Sequence, residues 1–303
     1  MRPVKRNHIR NKTKKSDISC ITKRYQIYCG DCTRGMAKIR ENSVDLIFTD
    51  PPYGIDGDHL DKHYNREERN VVPGYIEVPN DKYAEFSVEW IKECERILKP
   101  GGSIYIMSGY SNLHHILNAL HATKLYEVNH MIAHYTFGVF TKKKWVSSHY
   151  HLLYWSKNPR SKRTFNTNIF FVDHTDVYRD ILDVQSLPRD QKPGKIKNKN
   201  QLSESFIEKI ILYSSNKGDT VLDPFLGGMT SARAALRNGR KIIGFERNES
   251  AFKAFINTLG SIREVPPPVP KKPSAEDLDR RMKQRESFKK TRENRKKNSK
   301  GAK

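Results

Sequence analysis

Apolar residues along the chain fall into two patterns that together predict an alternating α/β fold. Short, nearly continuous apolar runs are typical of strands buried on both faces of a sheet, and they alternate with segments in which apolar residues recur at helical spacing. The predicted strands are 25–28, 44–48, 103–107, 128–136, 149–155, 220–223 and 241–246. The predicted helices are 33–41, 82–98, 111–123 and 201–213. This order predicts a mostly parallel, twisted sheet with helices on both faces.

Three polar stretches fall outside these patterns. Residues 55–81 are rich in charges and turn formers, and a loop of this length directly after a strand is expected to close over a substrate as a lid. Residues 158–200 are basic, with one apolar run at 169–172, and are the expected place for a variable recognition segment. Three lysines at 142–144 precede Trp145. This combination suits nucleic acid, and a lysine-coated hairpin tip explains it equally well.

The positive charge of the chain is concentrated at its two ends. The 303 residues carry a formal net charge of +22 and are 36% hydrophobic. Residues 1–24 contain nine lysines and arginines against one acid, and residues 266–303 contain fourteen against five. This composition predicts a disordered basic arm at 1–24 and a disordered, proline-containing tail at 263–303, on either side of a domain at 25–262. Such tails favour a polyanionic partner through counterion release, although a tail that only keeps the protein solvated fits the same composition.

The sequence favours neither a membrane protein nor a secreted one. Apolar runs stay below the ~18 residues that indicate a membrane span, and the N-terminus lacks the apolar core of a signal peptide. We therefore expect an intracellular protein, in the cytoplasm or on the nucleoid. Cys29 and Cys32 form a C-x-x-C pair, but no second pair and no histidine pair at finger spacing follows, so we expect no metal site.

The turn Asp50-Pro51-Pro52-Tyr53 directly follows the predicted strand 44–48. Prolines have no N–H and cannot continue a sheet ladder, so an acid, two carbonyls and an aromatic ring meet where open α/β sheets bind ligands. Asp50 would accept one hydrogen of a nucleobase amino group and the Pro51 carbonyl the other, which favours the pyramidal nitrogen that attacks an electrophile. Tyr53 would stack on the base, and Asp50, at an ordinary pKa of about 3.9, would be ionised. A stiff turn without catalytic role is the competing interpretation.

A second stretch combines a predicted strand, a glycine turn and the start of a helix. It contains Asp223, Pro224, Phe225, Gly227 and Gly228. Glycine lets the backbone approach a bound small molecule closely, and a helix N-terminus favours a carboxylate. Glu246 ends the next predicted strand about twenty residues later, which is the spacing at which dinucleotide sites place the acid that binds the ribose hydroxyls. A glycine motif alone is weak, but its combination with Glu246 and the Asp50 turn is strong.

With these motifs the chain resembles S-adenosylmethionine-dependent amino-methyltransferases of DNA, in the β group in which D-P-P-Y precedes the cofactor motif D-P-F-x-G-x-G-T. The resemblance covers roughly residues 25–260 and includes Gly30-Asp31, 98–102 and 152–158. It implies a Rossmann-like methyltransferase fold, S-adenosylmethionine as the cofactor and double-stranded DNA as the partner. A cognate restriction endonuclease becomes a candidate second partner.

The resemblance also implies roles for individual residues. Asp50, Pro51, Pro52 and Tyr53 would hold the target amino group and its base. The residues implied at the cofactor are Asp31 and Cys32 for the adenine, Glu246 for the ribose, and Asp223, Pro224, Phe225, Gly227 and Gly228 for the methionine end. Gln201 matches the start of the family's Q-K-P element, but Leu202 and Ser203 replace its lysine and proline. Met229 replaces the second motif glycine, where it would crowd the cofactor or reshape the turn.

The expected target is N6 of adenine, because in this family an Asp-led motif goes mostly with adenine and a Ser-led motif with cytosine. N4 of cytosine is the first alternative. A nucleic-acid-binding relative that has lost catalysis is the second, and it is motivated by Met229. Methylation at carbon-5 of cytosine is set aside, because it needs a nucleophilic cysteine, usually after a proline, and none of the four cysteines follows a proline.

Overall fold

The structure is a computed structural model that describes residues 18–54, 78–136, 140, 142–189 and 201–300, with side chains to residue 293. The strands are β1 (Ser19–Ile21), β2 (Tyr25–Cys29), β3 (Val44–Thr49), β4 (Leu98–Ser108), β5 (Leu125–His134), β6 (His149–Lys157), β7 (Val184–Ser186), β8 (Thr220–Asp223) and β9 (Lys241–Glu246). The helices are α1 (Cys32–Met36), α2 (Tyr83–Ile97), α3 (Leu113–His121), α4 (His174–Asp180), α5 (Glu204–Ser214), α6 (Thr230–Arg237), α7 (Glu249–Leu259) and α8 (Ala275–Lys300). A short 3-10 helix, Asn80–Lys82, leads into α2.

These strands form one sheet in the order β1-β2-β9-β8-β3-β4-β6-β5-β7. The five strands from β2 to β4 in this order run parallel to one another, and β6 is antiparallel to both of its neighbours. Ile47 at the centre of β3 pairs with Leu222 on one side and Ile104 on the other. The parallel strands therefore end at one edge of the sheet, here called the carboxyl edge, which is marked by Cys29, Thr49, Ser108, Asp223 and Glu246.

Alternate residues of β3 supply the two halves of the core, as expected for a strand that is covered on both faces. Leu46 and Phe48 are buried in a cluster with residues of α5, α6 and α7. Ile47, on the other face, is buried with residues of α1, α2 and α3. The predicted fold class, a mostly parallel α/β sheet with helices on both faces, is confirmed.

Several element boundaries differ from the sequence-based prediction. The helix predicted over 33–41 ends at Met36, and the Arg96 guanidinium donates to the carbonyls of Met36 (2.8 Å) and Ile39 (2.9 Å) at and beyond this end. α7 was not predicted, although Asn248 caps it by accepting from two backbone N–H groups. Within 158–200, α4 and β7 are regular elements that weak periodicity concealed; residues 190–200 lie outside the described residues.

Parts of both predicted tails form regular elements where the structure describes them. Ser19–Ile21 of the predicted arm form β1, antiparallel to β2, and only 1–17 lie outside the described residues. In the predicted tail, α8 begins behind Ser274, whose hydroxyl accepts from Asp277 N–H (3.0 Å). Arg281, 13% exposed, forms ion pairs with Asp173 and Asp176 at α4. Composition reports average polarity, and it cannot register a helix cap or a specific ion pair.

Candidate active site

The carboxyl edge brings together residues that lie far apart in the sequence. Asp50 follows β3, Asp223 ends β8 and Glu246 ends β9, and these three strands belong to the parallel part of the sheet. Asp31 follows β2, and the next residue, Cys32, begins α1. The Gly30 N–H donates to the Glu246 carbonyl (2.9 Å), so the ends of β2 and β9 are directly joined. The two stretches singled out in the sequence thus belong to one site.

The turn after β3 is fixed by hydrogen bonds from two other parts of the chain. The Tyr53 hydroxyl donates to Oδ1 of Asp50 (2.7 Å). The Tyr83 hydroxyl, at the start of α2, donates to the Pro52 carbonyl (2.7 Å). The Asn112 amide, just before α3, donates to the Tyr53 carbonyl (2.8 Å). The turn is therefore held in one conformation by side chains from the helices on one face of the sheet.

Asp50 is not the ordinary carboxylate that the sequence led us to expect. Burial raises its pKa to about 7, and the negative charge of Asp223 adds to this rise. The hydrogen bond from Tyr53 opposes it, because that bond stabilises the ionised form. Asp50 therefore changes protonation near neutral pH, which suits a group that accepts a proton or a strong hydrogen bond.

The Asp223 carboxylate links the two motifs. Its Oδ1 accepts from the Thr49 hydroxyl (2.9 Å) and the Phe225 N–H (3.0 Å), and its Oδ2 accepts from the Ser231 hydroxyl. Burial raises its pKa to about 6, and these three donors limit the rise. Since Thr49 immediately precedes Asp50, this carboxylate ties the turn after β3 to the glycine turn.

Met229 occupies its unusual motif position without facing the carboxyl edge. Its φ is 58°, in the left-handed region that glycine adopts more readily, and it directly precedes α6. Its N–H donates to the Leu226 carbonyl (2.7 Å). Its side chain is 0% exposed and packs in the core with residues of α5 and α6. The side chain therefore fills the core behind the turn, while the backbone keeps the glycine-like conformation.

The glycine turn and the end of β2 leave open space beside buried acid groups. A Cβ atom built on Gly30 or on Gly227 would have no heavy atom within 4 Å. Glu246 is 9% exposed, and its Oε1 accepts from the Asn248 N–H (2.6 Å). Burial raises the pKa of Glu246 to about 7. Backbone hydrogen bonds from Asn248 and Gly227 stabilise the ionised form and limit this rise. A carboxylate beside such a cradle fits a ligand with adjacent hydroxyl groups, such as a nucleoside.

The remaining predicted cofactor residues have mixed surroundings. The Asp31 side chain accepts from the Arg34 N–H (3.0 Å) and caps α1. The Cys32 side chain is buried in the core, where desolvation raises the pKa of its thiol to about 12, so only its backbone is placed to contact a ligand. The Gln201 amide donates to the Thr230 hydroxyl at the start of α6. The Phe225 ring packs edge-on against Trp90, with ring centroids 5.4 Å apart.

Four residues that sequence reasoning missed complete the site. Thr49 and Ser231 lie within or beside the motifs, and their position next to buried carboxylates was the available signal. Tyr83 and Asn112 lie at helix starts far from the motifs in sequence. Their contacts arise only when α2 and α3 pack on the sheet, so no local pattern identifies them.

Two other kinds of site are not found in the described part of the chain. No group of three or more His, Cys, Asp or Glu side chains there is arranged to hold a metal ion. No helix among the described residues is long and apolar enough to cross a membrane. The groups that the carboxyl edge offers for chemistry are carboxylates, backbone groups and aromatic rings.

Comparison with known proteins places the chain among DNA methylases. A family model described as DNA methylase, of the N6/N4 methyltransferase type, matches residues 44–257. The Type II methyltransferase M.HinfI of Haemophilus influenzae is 32% identical over 249 residues, which cover 78% of this chain and 68% of that protein. The DNA adenine methyltransferase YhdJ of Escherichia coli K12 is 33% identical over 253 residues, covering 76% of this chain and 81% of that protein.

Solved structures show the same fold. The M1.HpyAVI–SAM complex has a TM-score of 0.54 at 22% identity and covers 78% of this chain and 98% of that chain. The PvuII DNA methyltransferase, described as cytosine-N4-specific, has a TM-score of 0.59 at 18% identity and covers 80% of this chain and 93% of that chain. At these identities the likeness concerns the fold.

Proposed function

The chain belongs to the N6/N4 DNA methylase family, and from this premise we propose that it is an S-adenosylmethionine-dependent methyltransferase whose target in DNA is the exocyclic N6 of adenine. The choice of adenine is supported by the Asp-led turn at residue 50 and by the YhdJ relative, which is named an adenine methyltransferase. The proposal places target-sequence recognition in the segment 158–200.

The observation that carries this proposal is the geometry of Asp50. Tyr53 occupies Oδ1, and within the described residues no protein donor reaches Oδ2. Oδ2 is therefore the acceptor for one amino hydrogen of the target base, and the Pro51 carbonyl accepts the other. An amino nitrogen held in this way becomes pyramidal, and its lone pair is freed from the ring. With a pKa of about 7, Asp50 can also take up the proton that the methylated nitrogen releases.

The residues of the cofactor half divide into direct contacts and supports. We assign Glu246 to the ribose hydroxyls, Asp31 and the Cys32 backbone to the adenine, and the backbone from Phe225 to Gly228 to the methionine end. Asp223 has its oxygens engaged by Thr49, Phe225 and Ser231, so it positions the turn. When bound, S-adenosylmethionine supplies a methyl group activated by its positively charged sulfur. The chain contributes positioning, which can provide a large part of the rate enhancement.

The amino group of a paired, stacked base is inaccessible to a site of this kind. The base must therefore leave the duplex and enter the site beside Asp50 and the Tyr53 ring. The Tyr53 ring is the stacking partner we propose for it. Tyr150, whose ring centroid lies 5.9 Å from that of Tyr53, supports this ring from the side of β6.

The test is to identify the product. Mixed-sequence duplex DNA is incubated with methyl-labelled S-adenosylmethionine, digested to nucleosides and separated by chromatography, with Asp50→Ala as the matched inactive control. We expect label in N6-methyldeoxyadenosine alone. Label in N4-methyldeoxycytidine would move the target to cytosine. Absence of both label and cofactor binding would mean that the protein is a DNA-binding relative without catalysis.

Sequencing the methylated DNA gives the recognition site. That site can then be compared with the cleavage site of a restriction endonuclease. The M.HinfI relative is named a Type II methyltransferase. We propose that a restriction endonuclease of the same specificity accompanies this enzyme. In that case, DNA methylated by this protein resists cleavage by that endonuclease at every mapped site, and unmethylated DNA is cut.

A further inference from the structure

The loop between β5 and β6 lies at the same edge of the sheet as the active site. β5 is antiparallel to β6, which is antiparallel to β4, so β5 ends at the carboxyl edge. The loop is closed at its base by the bond from the Tyr135 N–H to the Ser148 carbonyl (2.7 Å). Tyr135 and Tyr150 pack together with centroids 5.0 Å apart, and Tyr150 in turn contacts Tyr53. A chain of aromatic contacts thus joins the base of the loop to the catalytic turn.

Trp145 in this loop is 96% exposed. It lies three residues from Ser148, so its Cα is within about 11 Å of the base of the loop. Three lysines at 142–144 directly precede it, and each of them is exposed. An exposed indole ring that follows three exposed lysines suits a partner that offers both phosphates and aromatic surfaces. Duplex DNA, the substrate of this family, offers both.

We propose that Trp145 is the side chain that enters the duplex when the target base leaves it, and that it stacks in the gap so created. Extruding a base breaks its stacking on both neighbours, and an inserted aromatic ring replaces part of that stacking. The lysines before Trp145 hold the flanking phosphates and bring the ring to the groove. This role is positional, because Trp145 stabilises the open duplex and does not touch the reacting atoms. It rests on the proposed methylation of DNA, and it applies whether the extruded base is adenine or cytosine.

The test compares two duplexes that carry the mapped recognition site. In one the target base is paired, and in the other an abasic position lies opposite it, so that little pairing has to be broken. On the paired duplex, Trp145→Ala is expected to lower kcat/KM by about tenfold or more. On the abasic duplex, the kcat/KM of the variant is expected to be within about twofold of the wild-type value. Trp145→Phe, which keeps a stacking ring, is expected to retain most of the activity on both.

Control variants separate stacking from folding and from charge. The unfolding midpoint of Trp145→Ala should equal that of the wild type, because so exposed a ring supports no core. Phe140→Ala, in the same loop and 76% exposed, is expected to leave the ratio of the two activities unchanged. Lys142→Gln with Lys144→Gln is expected to weaken binding to both duplexes alike and to reduce its salt dependence.

Three results would overturn the inference. Trp145→Ala could leave activity on the paired duplex unchanged, or lower it equally on both duplexes. Rescue by the abasic duplex could instead appear with Phe140→Ala, which would assign the stacking role to that residue. The identity of the methylated base in the wild-type reaction is a separate measurement, so failure of the adenine proposal is distinguishable from failure of this one.

Discussion

Replacing Asp223 by asparagine and by alanine is expected to have very different effects on stability. Three donors converge on this buried carboxylate: the Thr49 hydroxyl, the Phe225 N–H and the Ser231 hydroxyl. In Asp223→Asn, the amide oxygen can keep Thr49 and Phe225 as donors, while the amide N–H can donate to the Ser231 hydroxyl. In Asp223→Ala, all three donors lose their acceptor in a site closed to water.

The magnitudes follow from the hydrogen bonds and from the cost of the buried charge. A buried donor without an acceptor costs about 1–3 kcal/mol, and since hydroxyl groups can rotate toward other acceptors we expect Asp223→Ala to lose about 3–5 kcal/mol in total. The rise of the Asp223 pKa from 3.8 to about 6 means that ionisation disfavours the folded state by roughly 3 kcal/mol at neutral pH. Asp223→Asn removes this charge, so we expect it to be as stable as the wild type at pH 7 or more stable.

The same pKa rise predicts how stability depends on pH. The folded-state pKa lies above the unfolded-state value, so between pH 3.8 and about 6 the folded protein binds more protons than the unfolded chain. The contribution of Asp223 therefore lowers stability as pH rises through this window. Asp50 and Glu246, both with a pKa raised to about 7, extend the decline toward neutral pH. Because Asp50 and Glu246 also contribute below pH 6, the stability of Asp223→Asn should still fall between pH 3.8 and about 6, but less steeply than that of the wild type.

Urea unfolding of the ligand-free protein between pH 4.5 and 7.5 measures these differences directly. Thr49→Val is the matched control, because it removes one donor to the Asp223 carboxylate. The Asp223 pKa should then rise further, and stability should fall more steeply with rising pH. The reasoning fails if Asp223→Asn is as destabilised as Asp223→Ala at pH 7, or if its stability falls between pH 4.5 and 6 as steeply as that of the wild type.

Three other predictions concern activity and binding. Asp50→Ala should lower methyl transfer by ~10²–10³ or more while cofactor binding stays within a few fold, measured by label incorporation and calorimetry; near wild-type turnover would remove Asp50 from the chemistry. Glu246→Ala should weaken S-adenosylmethionine binding by roughly ten- to a hundredfold with little change in DNA affinity, and an unchanged calorimetric affinity would count against a ribose contact. Deleting residues 1–17 and 283–303 spares β1 and the Arg281 ion pairs. It should reduce the slope of log affinity for DNA against log salt concentration by ~0.9 for each phosphate that the deleted residues neutralise, and leave the methylation site unchanged. An unaltered slope would make both tails solubility appendages.

The sequence could predict the carboxyl edge because its signals are local. The apolar run before Asp50 and the strand before Asp223 indicate parallel strands, and such strands end at the same edge of a sheet. The geometry confirms that Asp50, Asp223 and Glu246 meet there. Their roles toward the base and the cofactor remain proposals.

What the sequence could not predict depends on packing between distant segments. Tyr83 reaches Pro52 only because α2 packs on the sheet, and burial that raises the pKa of Asp50 has no sequence signature. Met229 suggested a damaged glycine turn, yet its side chain lies in the core and its backbone keeps the turn. The ion pairs of Arg281 at α8 join the C-terminal segment to α4, and composition gives no sign of such a contact.

The Thr49–Asp223 hydrogen bond spans 174 residues of sequence, and this separation has a consequence for folding during synthesis. β3 and β4 are near each other in the sequence and can pair early. The Asp223 carboxylate, which accepts from Thr49 at the end of β3, is synthesised only when about three quarters of the chain exists. Contacts so distant in sequence form late, because a large loop must close first. A nascent chain that ends before Asp223 thus carries the D-P-P-Y residues without the carboxylate that positions them, and it gains methylating activity only after β8 has inserted beside β3.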